Sequence, residues 1–187
     1  MNRDKAYALV CEYTQSESLR RHMLAVEVCL RAYARKFNED ENKWGIVGLL
    51  HDFDYEKWPN PPDHPLKGAA ILEERGYAED VIYAIKSHAD YLDDCPRISL
   101  LDKTLYACDE LAGFITACAM VRPEGILGMK AKSVRKKMKQ KSFAAAVNRE
   151  DIIRGAEDLG VELNEHVQFS IEAMAEEAES LGLTARA

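Results

Sequence analysis

An all-α fold is predicted for this 187-residue chain by three observations. Apolar residues recur at helical spacing along most of its length. Capping-box signatures open two of the apolar-periodic stretches. No stretch alternates apolar and polar residues well enough to make a strand. Length and a hydrophobic content of 47% suit one domain with a real core, extended by further helices.

Taken in order, Thr14-x-x-Glu17 opens a helix through LRRHMLAVEVCLRAYARKF, with Leu19, Met23, Val26, Leu30 and Tyr33 forming one apolar stripe and His22 at its edge. Asn38-x-x-Glu41 opens a second helix ending in WGIVGLLHD. That segment is apolar nearly all round and is expected to be the central buried helix, with His51 and Asp52 as its last residues. The three prolines of DYEKWPNPPDH impose a loop. Pro65 suits a first helical turn, so His64 starts a helix through LKGAAILEERG that Gly76 ends. The next helix, EDVIYAIKSHADYL, carries His88. Pro96 breaks the chain, and Ser99 caps a long helix, LLDKTLYACDELAGFITACAM, which carries Asp109.

After Pro123 the character changes. Residues 130–141, KAKSVRKKMKQK, are strongly basic; Asn148 starts a further helix; HVQFSIEAMAEEAESLG reads as a long acidic one. Residues 1–121 are therefore expected to form the core domain, and 122–187 a helical extension packed on it.

A net charge of −7 argues against non-specific nucleic-acid binding. Five cysteines without a C-x-x-C pair suit no closed disulfide framework and read as free, mostly buried thiols of a reducing compartment. The N-terminus is too polar for a signal peptide, and no apolar run reaches the length of a membrane span. The expectation is a cytoplasmic protein without a membrane partner.

Four of the five histidines fall in one order: His22, the pair His51-Asp52, His64 and His88, with Asp109 closing the series inside ACDELAGF. Imidazole and carboxylate groups spread over several helices, able to converge, are what a transition-metal site is made from. The His-Asp pair closes an apolar helix, where a buried carboxylate left unpaired costs several kcal/mol. A cation removes that cost, and the two oxygens of Asp52 can bridge two cations.

This order resembles the HD-domain metal-dependent phosphohydrolases, an all-helical superfamily, over roughly residues 18–120, with LLHDFDYEKW similar to the central motif and ACDELAGF to the final helix. Members with two extra histidines between the pair and the last Asp hold two metals, and His64 and His88 occupy those places. The resemblance implies that His22, His51 and Asp109 bind one metal, His64 and His88 the second, and Asp52 bridges them. Many binuclear relatives carry Gly and then Lys after the pair; Phe53-Asp54-Tyr55 stands there instead, so no lysine role carries over at that place. The shell suits Mn, Fe, Co, Ni or Zn better than Mg. Two such ions about 3.5–4 Å apart activate a bridging hydroxide for in-line attack on phosphorus, so no protein nucleophile is needed.

The implied activity is hydrolysis of a phosphate ester or anhydride in a small phosphorylated molecule such as a nucleotide. Two other readings share the same ligands: a mixed-valent di-iron oxygenase of the same superfamily, and a nucleotide-binding regulatory module. Beside the bridging Asp52, the candidate catalytic residues are Lys67 and Asp54. Lys67 lies one turn after His64, where it reaches a substrate phosphate or stays solvated. Asp54, like Asp90, is either an acceptor for a ligand imidazole or a proton-transfer group. Lys132, Arg135, Lys136 and Lys139 share a helix face that either holds an anion or is solvated and offsets the acidic C-terminal helix. His166 is expected to be solvent-exposed. Gly45, Gly48 and Gly68 are expected at close helix–helix approaches. Trp58 either lines the pocket mouth or packs in the core.

Overall fold

The computed structural model describes residues 2–185, which form nine α-helices and no strand. Two compact units divide after Leu105. Among the described residues no helix is long and apolar enough to cross a membrane.

The first unit holds α1 (Arg3–Tyr13), α2 (Glu17–Phe37), α3 (Glu41–Leu50), α4 (Asp63–Glu74), α5 (Glu79–Ser87) and the start of α6 (Leu100–Met120). At its centre is α3: residues 44–50 are all buried, and the helix packs on α1, α2 and α5. Gly48 makes this possible, because a Cβ there would lie 2.9 Å from the Glu27 backbone of α2. Glu27 is itself buried, and its carboxylate accepts from Arg3 at 2.6 and 2.8 Å and from Arg31 at 2.9 Å. These charge-assisted bonds tie α1 to α2 and offset the cost of burying the carboxylate. Helix α1 was not anticipated; it buries only Ala6, Leu9 and Val10.

Both anticipated capping boxes shift by two residues. Ser16, not Thr14, caps α2, and its side chain accepts from the Leu19 N–H. Thr14 instead donates from Oγ1 to the Phe53 carbonyl at 2.9 Å. Asp40, not Asn38, caps α3. Asn38 ends α2 in the left-handed conformation (φ 57°), which asparagine tolerates better than most residues. Gly76 ends α4 with φ +74°, as expected. Ser99 and Asp102 form a reciprocal cap on α6: Ser99 Oγ accepts from the Asp102 N–H at 3.1 Å, and Asp102 accepts from the Ser99 N–H at 2.8 Å.

The second unit takes in the rest of α6, α7 (Ala131–Met138), α8 (Arg149–Leu159) and α9 (Leu163–Glu176), with α7 and α8 both packed on α9. His166 is buried rather than exposed, and its Nε2 donates to the Ala107 carbonyl at 2.9 Å. Glu162, four residues earlier, is the N-cap, so His166 lies a full turn inside α9 on its inner face.

Candidate metal centre

His51 and His88 reach the site by the same local device. Each is the C-cap residue of a helix, the apolar α3 or the amphipathic α5, and each donates from Nδ1 to the carbonyl three residues back, Gly48 (2.8 Å) or Ile85. Helix C-termini leave their last carbonyls without intrahelical partners. Here the imidazoles take them, which fixes each ring and leaves Nε2 as a lone-pair donor. The same helix ends carry partial negative charge that favours a cation.

His64 is oriented differently. It adopts an extended conformation (φ −81°, ψ 134°), as a residue before proline must. Its Nδ1 donates to Asp54 Oδ1 at 2.8 Å, and Asp54 Oδ2 accepts from the Gly68 N–H, also at 2.8 Å. Asp54 is 1% exposed, with one oxygen on each donor, so it positions His64 from behind. Gly68 is not at a helix–helix approach, as anticipated, but against this carboxylate: a Cβ there would lie 2.7 Å from Asp54 Cγ. Gly48 is at such an approach, and Gly45 meets the Arg31 side chain.

The four Nε2 atoms converge in two pairs. His22, half-buried on α2, lies 3.2 Å from His51, and His64 lies 3.3 Å from His88. Asp52 stands between the pairs. Its Oδ2 is 3.8 Å from His22 and 3.5 Å from His51, and its Oδ1 is 3.3 Å from His64 and 3.6 Å from His88. Two ligand groups result, His22–His51–Asp52 and Asp52–His64–His88, sharing the one carboxylate.

This donor set fits metal ions. In neutral His64 and His88 both N–H groups are committed to Asp54 and Ile85, so two lone pairs face each other across 3.3 Å. Such an arrangement repels unless a proton or a cation lies between. Nitrogens 3.2–3.3 Å apart subtend about 100° at an ion bound at the usual ~2.1 Å, between octahedral and tetrahedral values.

The remaining sequence candidates fall as follows. Asp109 lies on α6, half-buried, in the second unit. Lys67 is exposed, immediately before Gly68. Asp90 pairs with Arg97. Trp58 is half-buried against Tyr13, ring centroids 6.0 Å apart.

Two tyrosines escaped the sequence reading. Tyr55 sets its ring edge-on to His64 at 5.1 Å, and Tyr91 donates its hydroxyl to the His64 carbonyl. Both are more than 40% exposed. Burial, and then the Asp54 and Asp52 carboxylates, raise the Tyr91 phenol above its ordinary value. The available signal was position alone, each tyrosine standing within four residues of a ligand.

Five histidine and aspartate side chains converge from an all-helical frame, with a His-Asp pair at the end of the central helix, and together they could hold metal ions. The HD domain family matches residues 19–113, and the chain belongs to that family, whose members are generally metal-dependent hydrolases. Neither the curated proteins nor the solved structures contain a match.

Proposed function

We propose that this protein is a binuclear metal-dependent phosphohydrolase that cleaves a phosphate ester or anhydride bond in a small phosphorylated molecule, of nucleotide type. One observation carries the reading: the two oxygens of Asp52 face two separate histidine pairs, as a bridging carboxylate must. Divalent cations of the Mn, Fe, Co, Ni or Zn group, when bound, supply an activated water and neutralise charge on the phosphoryl oxygens.

The chain's own residues do the rest. His51 and His88, locked on their helix ends, and His64, locked by Asp54, present lone pairs without reorganisation. Asp109 is assigned as a further ligand of the His22–His51 ion on the family motif alone. Lys67, exposed beside the buried Gly68, is assigned to a substrate phosphate oxygen.

Elemental analysis of freshly purified protein, followed by a panel of phosphate monoesters, diesters and nucleotides, tests the proposal. The expected stoichiometry is about two ions per chain, following the two-metal arrangement. His64→Ala with His88→Ala is expected to reduce it to one, and Asp52→Ala to abolish turnover. Hydrolysis unchanged in Asp52→Ala refutes the site. Turnover that requires O₂ refutes hydrolysis in favour of di-iron oxidation.

A further inference from the structure

The basic run is dense in charge. Seven of the twelve residues 130–141 are Lys or Arg and none is Asp or Glu, in a chain of net charge −7. If the run served to offset the acidic C-terminal helix, its cations would pair with carboxylates of that helix. Among the described residues none of the seven makes an ion pair. Arg135 donates to the Asn164 amide oxygen, and Lys137 lies over the Phe143 ring at 4.5 Å. Seven like charges within twelve residues repel one another, and among the described residues no carboxylate forms a direct ion pair with them.

Part of the run lines a cavity of about 390 Å³ in the second unit. Lys136, Lys137 and Arg122 all line it. Arg122 is held by bonds to the Gly125 and Leu127 carbonyls, with Glu124 at 3.7 Å. The apolar lining comes from Cys118 and Met129, both nearly fully buried, and from Val121, which is 59% exposed. Ser133 and Gln140 add uncharged hydrogen-bonding groups. The size falls in the range of small-molecule sites, and cationic groups lining the same cavity as apolar ones complement an anionic head on an apolar body.

We propose that this cavity is a binding site for a small organic phosphate, its phosphoryl head held by Lys136, Lys137 and Arg122 and a short apolar group seated on Cys118, Met129 and Val121. None of the lining residues belongs to the histidine cluster, and binding here does not depend on that cluster's chemistry. A cavity of this volume takes a small molecule rather than a polymer, and the tail contact requires an amphiphile rather than free phosphate.

The test is titration of the full chain with hexylphosphonate, which no phosphatase cleaves, followed by calorimetry and by the ¹³C-methyl signal of Met129. The expected result is saturable binding with a shifted Met129 methyl, and methylphosphonate weaker by about tenfold or more because it lacks the buried methylenes. Lys136→Glu with Lys137→Glu is expected to weaken hexylphosphonate by at least about tenfold, with helical circular dichroism unchanged. Should that variant not fold, Lys136→Met with Lys137→Met serves in its place. Lys139→Glu with Lys141→Glu is the control for charge alone and is expected to leave binding intact. The proposal is overturned if methylphosphonate binds as well as hexylphosphonate, or if both charge pairs matter equally. It is also overturned if binding is lost in Asp52→Ala and kept in the Lys136/Lys137 variant, or if Met129 does not respond.

Discussion

Replacing Asp54 by Asn isolates the orientation of one proposed metal ligand, His64. The carboxylate accepts two hydrogen bonds through two oxygens, from His64 Nδ1 and from the Gly68 N–H, both at 2.8 Å. An amide of the same shape has one acceptor and one donor face. If its oxygen stays on Gly68, its NH₂ confronts His64 Nδ1 and forces the imidazole into the Nε2–H tautomer, which cannot bind a metal through Nε2. If it turns to His64, its NH₂ opposes the buried Gly68 N–H. Either way one buried polar contact is lost, at a cost of about 1–3 kcal/mol. Loss of a ligand's supporting partner generally weakens metal binding about 10–100-fold. The expected outcome is that weakening at the His64–His88 ion, with the His22–His51 ion unaffected, measured as metal retained after dialysis. In metal-free protein, long-range ¹H–¹⁵N correlation reads the tautomer directly: Nδ1–H on His64 in the parent chain, shifted toward Nε2–H in Asp54→Asn. An unchanged tautomer together with unchanged metal retention would refute the reasoning.

Two further outcomes follow from the packing. Gly48→Ala places a Cβ 2.9 Å from the Glu27 backbone and is expected to cost about 1–3 kcal/mol by urea unfolding, as overpacked cores do, with metal retention reduced because His51 hangs from the Gly48 carbonyl. A neutral urea midpoint shift would show that α2 and α3 can move apart freely. Burial pushes the Cys118 thiol up to about 11, against the opposing pull of Lys137 and Arg149. Since the unfolded thiol ionises first, near 9, the unfolded chain binds fewer protons between those values, and stability falls as pH rises from about 9 to 11. Cys118→Ala is expected to flatten that part of the pH–stability curve; an identical slope would place the titrating group elsewhere.

Much of the first unit was legible from local pattern. The apolar run WGIVGLL became the central helix because a segment without a polar face has nowhere else to go. Gly76 and the Ser99 cap act through their own backbone neighbourhoods, so they hold without tertiary context. The capping boxes at Thr14 and Asn38 failed for the opposite reason. Each lies two residues before a second eligible residue, Ser16 or Asp40, and the Thr14 hydroxyl is claimed by a carbonyl 39 positions away. His166 looked exposed at a helix start, but it lies a turn inside α9, where the Ala107 carbonyl offers its imidazole a buried acceptor.

The amino-acid order by itself determined the all-helical class, the family, and the set of imidazole and carboxylate groups available for a metal, because helical period and ligand type are written residue by residue. Only the tertiary structure decided that Asp52 turns one oxygen to His22 and His51 and the other to His64 and His88. It also decided that Asp54 stands behind His64 rather than free in the site. Those orientations depend on where α2, α3, α4 and α5 meet, and close packing of the buried central helix against its neighbours sets that meeting point.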